Sequence, residues 1–115
     1  MSLEMKIHHV GDVLVLQPSG RLTLGEASNS LHDIVRTLVQ RGERKILFDM
    51  ADVSYIDSSG LGELVSAYTS VRKEGGDFKL ARLGTRTHDL MRITRLNTVF
   101  EVFDNDTPAI ISFAS

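Results

Sequence analysis

The sequence predicts an α/β domain: a mostly parallel sheet with an antiparallel N-terminal edge, covered by about four helices. Three observations carry this expectation. Short apolar runs alternate with segments of helical periodicity, an order that requires crossover connections and therefore parallel strands. Two early apolar runs flank Gly11-Asp12, a hairpin signal. The later runs "KILFDM" and "FKLARL" are mostly apolar, as strands covered on both faces are. The 115 residues suffice for one domain with one core, expected over residues 5–113.

In chain order, Met5–Val10 and Val13–Gln17 read as the two hairpin strands. From Gly25 to Arg41, Leu31, Ile34, Val35 and Leu38 recur at helical spacing. Thr23 and Glu26 form a T-x-x-E capping box before this helix, and Gly42 ends it. Lys45–Met50 is an apolar strand, followed by a turn through "ADVSYID". A second helix spans Ser59–Glu74, with Leu61, Leu64, Val65, Tyr68 and Val71 along one face and Gly75-Gly76 as its stop. Phe78–Leu83 is the next strand. Thr85 is the expected cap of a third helix reaching Arg95. Val99–Phe103 reads as a last strand, and Thr107-Pro108 as the start of a terminal helix with proline in first position.

Composition narrows the function classes. Hydrophobic content of 42%, charged content of 24% and a net charge of −2 describe an ordinary globular chain, with no global basicity for nucleic acid or an anionic membrane. The absence of cysteine removes disulfides and thiolate chemistry and fits a cytoplasmic location. No apolar run approaches a membrane span, and no h-region of a signal peptide is seen near the N-terminus. Neither nucleic-acid binding nor membrane insertion is expected.

The chemistry-bearing stretch is "YIDSSGLGEL", Tyr55–Leu64. Ser58 within it could be a nucleophile, a helix cap, a phosphate ligand or a phosphate acceptor. A hydrolase serine needs a base and an oxyanion hole. The G-x-S-x-G elbow is missing, and His8, His9, His32 and His88 read as surface residues. No metal pattern is present: Asp49, Asp52 and Asp57 read as strand-end and turn aspartates. "DSSGLG" opens a helix, the right context for phosphate, but neither phosphate-loop signature occurs. "GGDF" at Gly75–Phe78 reads as a helix end and strand start, and the basic stretch Lys79–Arg95 as a solvated helix face. No catalytic residue, metal or cofactor is therefore expected. In the structural reading, Ser58 or Ser59 caps the helix while Gly60 and Gly62 let its first turn approach other backbone. Such an exposed serine among small residues is also accessible to a kinase.

"DVSYIDSSGLGELVSAY" resembles the signature of the bacterial anti-sigma-factor antagonists, the STAS domain. "LQPSGRLT", "KILFDM", "VRKEGGDFKLARL" and "RITRLNTVFEVFDN" resemble the family's flanking segments, so the likeness spans about Met5–Phe113. The resemblance implies a non-enzymatic, cytoplasmic switch. Small family members bind an anti-sigma factor that is also a serine kinase, are released when it phosphorylates them, and are reset by a phosphatase. The implied acceptor is Ser58, with Arg21, Thr23, Asp57, Ser59, Gly60, Leu61 and Gly62 as the partner-binding surface. Thr23 stands where members often carry aspartate, and Arg21 where several relatives have an acid. STAS domains also serve as accessory subunits of lipid-transport ATPases and as scaffolds of sensory assemblies.

Overall fold

The computed structural model describes residues 4–23 and 26–114, with residues 26–30 described by backbone alone. The order is β1 (Glu4–Val10), β2 (Val13–Leu22), α1 (Glu26–Gln40), β3 (Lys45–Asp49), β4 (Asp52–Ile56), α2 (Ser58–Lys73), β5 (Asp77–Ala81), α3 (Thr85–Ile93), β6 (Val102–Phe103) and α4 (Asp106–Ser112). The strands form one sheet, β1-β2-β3-β5-β6, with only the β1–β2 hairpin antiparallel and β4 paired to β2. The predicted class is the observed one.

The principal correction concerns "ADVSYID". This segment is not a turn: after Met50-Ala51 the chain re-enters the sheet as β4. Its partner is the distal half of β2, which runs to Leu22 and not to Gln17. β3 uses Leu14–Leu16 of β2, and β4 uses Ser19–Leu22. Pro18, which has no N–H to donate, falls between these two pairings. The register slips between Gly20 and Arg21, so that Gly20 faces Val53 and Arg21 faces Tyr55, leaving Ser54 as an extra residue. Gly20 takes φ +113°, a conformation that side chains resist, and allows the strand to bend there.

The remaining differences lie at element ends. The third helix is N-capped at Gly84 without a side-chain bond, so Thr85 is its first residue and not its cap, and it ends at Ile93. Of Val99–Phe103 only Val102 and Phe103 are strand; Leu96–Thr98 form a 3-10 turn, and Phe100 drops into the core. The terminal helix starts at Asp106, which puts Pro108 at the third helical position. The Thr23–Glu26 capping box involves a side chain outside the described residues.

Two apolar layers hold the sheet. On one face Leu14, Leu16, Ile46 and Phe48 pack under α1 and α2, with Leu31, Leu64 and Val71 fully buried. The other face is smaller: Val13, Val15, Leu47 and Ala81 meet Ala109 of α4 and Phe113 at its C-terminal end. Complete burial of one leucine is worth about 1.5–3 kcal/mol, so the first layer dominates. Among the described residues, no helix is long and apolar enough to cross a membrane.

Candidate functional site: the start of the second helix

The site forms where β2 and β4 end together. Leu22 pairs with Ile56, and the Asp57 N–H reaches the Leu22 carbonyl at 3.4 Å. Asp57 then takes extended backbone as the N-cap of α2, and its Oδ1 accepts from the Gly60 N–H at 2.9 Å. This corrects the expectation that Ser58 or Ser59 caps the helix. A carboxylate caps the free N–H as well as a hydroxyl and also complements the positive helix end. Ser58 is thereby released from capping. It is the first helical residue, and it is exposed.

The two glycines differ. A methyl on Gly60 would lie 2.9 Å from Ile56 Cγ1 and 3.0 Å from the Leu22 carbonyl carbon, and closer still to its oxygen. Gly60 therefore lets α2 sit directly on the end of β2. Gly62 has nothing within 4 Å. It does not serve close approach. It is exposed one turn beyond Ser58 and keeps the helix surface beside that hydroxyl bare. Ser59 is half-buried, whereas Gly60 and Leu61 face the core, Leu61 at 2% exposure. Of the residues implied by the resemblance, the exposed rim thus consists of Arg21, Ser58 and Gly62, with Asp57, Ser59 and Thr23 half-buried behind it.

Two further residues, Tyr55 and Arg86, join this rim. Arg21 stacks over the Tyr55 ring at 4.9 Å, and Arg86 of α3 stacks over the same ring at 4.7 Å while donating to the Tyr55 hydroxyl at 3.2 Å. Tyr55 opens the "YIDSSGLGEL" stretch, whereas by sequence alone Arg86 reads as part of a solvated basic helix face. The structure divides that basic stretch. Lys79 is buried in β5 beneath the Phe113 ring and donates to Ser112, Arg82 pairs with Asp49, and Arg92 pairs with Asp89.

A second ionisable group lies at the ends of β3 and β5. Asp49, 1% exposed, accepts from the Ala51 N–H at 3.0 Å and from Arg82 Nε at 3.1 Å. Burial opposes ionisation of Asp49, but the Arg82 guanidinium and the other hydrogen bonds outweigh it and hold the carboxyl below its usual value. Asp106 of α4 meets the opposite outcome: burial, then the neighbouring Asp49, push it up to about 6. Its Oδ1 is buried without a hydrogen-bond partner, 3.7 Å from Arg82 Nε. Arg82 itself sits at φ +57°, so the pair is held across a strained backbone.

Two of the described histidines have partners elsewhere: His9 meets Glu43 at 2.9 Å, and His32 lies 3.4 Å from Ser66. No group of three or more metal-ligating side chains occurs among the described residues.

Comparison with known proteins places this geometry in a family. The family model of the STAS domain matches residues 4–107. A Thermotoga neapolitana protein described as an anti-sigma factor antagonist is 31% identical over 101 residues, covering 88% of this chain and 89% of its own. The anti-sigma F factor antagonist of Paenibacillus polymyxa is 23% identical over 110 residues, covering 96% and 94%. Among solved structures, the phosphorylated form of the Bacillus cell fate determinant SpoIIAA superposes with a TM-score of 0.74 at 17% identity, covering 95% of this chain and 98% of that one. The hairpin edge, the β4 return and the Asp-capped helix that carries Ser58 are the parts of one fold, and the chain belongs to the STAS domain family.

Proposed function

We propose that this chain is a non-enzymatic signalling switch, an anti-sigma factor antagonist that binds an anti-sigma factor acting also as a serine kinase and is released when Ser58 is phosphorylated. The observation that carries the reading is the division of labour at the start of α2. Asp57 does the capping, so Ser58 is free to meet a partner, on a rim that Gly62 leaves bare. Two curated relatives described as anti-sigma factor antagonists, and a structural neighbour known in a phosphorylated form, support the same reading. Arg21, Thr23, Asp57, Ser58, Ser59 and Gly62 form the partner-facing rim, while Gly60 and Leu61 hold it in place. A phosphatase completes the cycle.

The switch works at the interface and leaves the fold intact. A phosphate adds about −1.5 to −2 charge at pH 7. At the N-terminus of α2 the macrodipole favours it by about 0.3–1 kcal/mol, and repulsion from Asp57 opposes that gain across a solvated turn. A hundredfold loss of affinity needs about 2.7 kcal/mol. Desolvating a dianion against a surface shaped for a neutral hydroxyl supplies it.

The test is a binding titration with the purified host kinase, beside a thermal melt of each variant. Ser58→Ala stays folded, binds and is not phosphorylated. Ser58→Asp stays folded and binds at least ~10-fold more weakly, one charge being a poorer mimic of two. Equal binding by Ser58→Asp, as an accessory or scaffold role would give, would refute the switch.

A further inference from the structure

We infer that the Arg21–Tyr55–Arg86 stack is the charge-selecting part of the docking rim, and that the partner it fits presents carboxylates opposite these two arginines. The inference rests on the proposed switch and adds the chemistry of the partner surface.

Two guanidiniums converge on one ring, at 4.9 and 4.7 Å from its centroid. Both arginines are exposed. Arg72, Arg82 and Arg92 each hold a carboxylate of this chain; among the described residues Arg21 and Arg86, like Arg36, Arg41, Arg44 and Arg95, form no ion pair, but only Arg21 and Arg86 converge on one ring. Overall basicity does not account for the convergence, because the chain carries a net charge of −2. The ring attracts each guanidinium, and the mutual repulsion of the two cations is relieved when an anion meets them. Stacking also fixes the planar forks in advance, which lowers the entropy lost on bidentate pairing with carboxylates.

The stack lies within reach of a partner that covers Ser58. Tyr55 precedes Ser58 by three residues, and three extended residues span at most about 11 Å. Arg21 is the direct strand neighbour of Tyr55. A standard interface buries about 800 Å² on each partner, a disc about 16 Å in radius, so a partner centred on Ser58 reaches the stack. The ligand is protein carboxylate and not nucleic acid, because two guanidiniums already lie over the Tyr55 ring, at 4.9 and 4.7 Å from its centroid, and compete with a stacking base. Two cations are also fewer than the four to eight that mark an anionic lipid surface.

The test uses each serine-kinase-type ATPase of the host, purified singly with bound nucleotide. Each is titrated against the wild-type chain, Ser58→Asp and the double variant Arg21→Glu/Arg86→Glu, at about 50 and about 500 mM salt. The expected result is one ATPase whose binding falls at least ~10-fold in the double variant with an unchanged melting temperature. Wild-type binding weakens with salt, while that of the double variant barely does. If the double variant binds like wild type at both salts while Ser58→Asp still loses affinity, the charge assignment is overturned and the switch stands. If no ATPase binds the wild-type chain, the switch fails and the inference with it. A thymidine oligonucleotide or phosphatidylserine vesicle that binds the wild type but not the double variant would also overturn the carboxylate assignment.

Discussion

Replacing Gly60 and Gly62 separately by alanine tests the architecture of the site, because the two substitutions share one helix and one chemistry and differ only in what the new methyl meets. In an open helix, Gly→Ala stabilises by about 0.8–1 kcal/mol. Gly62 is such a position, with nothing within 4 Å, so Gly62→Ala is expected to gain about that much. At Gly60 the methyl would lie 3.0 Å from the Leu22 carbonyl carbon, nearer its oxygen, and 2.9 Å from Ile56 Cγ1. Carbon–carbon contacts are optimal at about 3.5–4.0 Å, so the first turn of α2 must retreat by about 0.5–1 Å. Overpacking costs about 1–3 kcal/mol, and the upper end applies here because the obstacle is backbone. After the helix-propensity gain, Gly60→Ala is left about 2 kcal/mol less stable than wild type. Urea unfolding of both variants reads the difference, about 3 kcal/mol between them by these same two terms. If the two alanines shift the midpoint in the same direction, the docking of α2 onto the end of β2 is wrong.

Asp57→Ala removes the cap of α2 and is expected to cost about 1 kcal/mol, with Asp57→Asn recovering most of it; equal melting temperatures for all three proteins would show that the Gly60 N–H finds another acceptor. Arg82→Ala leaves the buried Asp49 carboxylate without its ion pair and is expected to cost about 3 kcal/mol in a urea titration at neutral pH, while a loss below ~1 kcal/mol would show that the pair is dispensable. The pH dependence of Asp106 has the opposite sign to an ordinary salt-bridged carboxylate. Its pKa rises from 3.8 to about 6 on folding, so the folded state binds more protons, and its contribution is present at low pH and lost as pH rises between those values. Asp49, depressed on folding, contributes above 3.8 and loses its contribution as pH falls below that value, outside the Asp106 window. Wild type should therefore lose stability relative to Asp106→Asn between about pH 4 and about pH 7, and parallel urea midpoints across that range would contradict the assignment.

The sequence by itself determined the α/β class, the hairpin edge, the run of α2 and the candidate serine. These are local signals: the apolar period of a helix or strand repeats within a few residues, and "DSSGLG" carries its small and polar residues in one stretch. Tertiary structure decided what each residue does there. "ADVSYID" becomes a strand because the distal half of β2 offers it an open edge, which no pattern inside the segment announces. Asp57 takes the cap from Ser58 because the end of β4 fixes the entry angle of α2, and Gly60 is required because Leu22, distant in sequence, lies beneath it. Arg86 reaches Tyr55 across 31 residues, and Arg82 reaches Asp49 across 33. Strand order in the sheet sets these distances, and the order depends on how whole elements bury their apolar faces together, so the charge on the docking rim became visible only after the sheet was assembled.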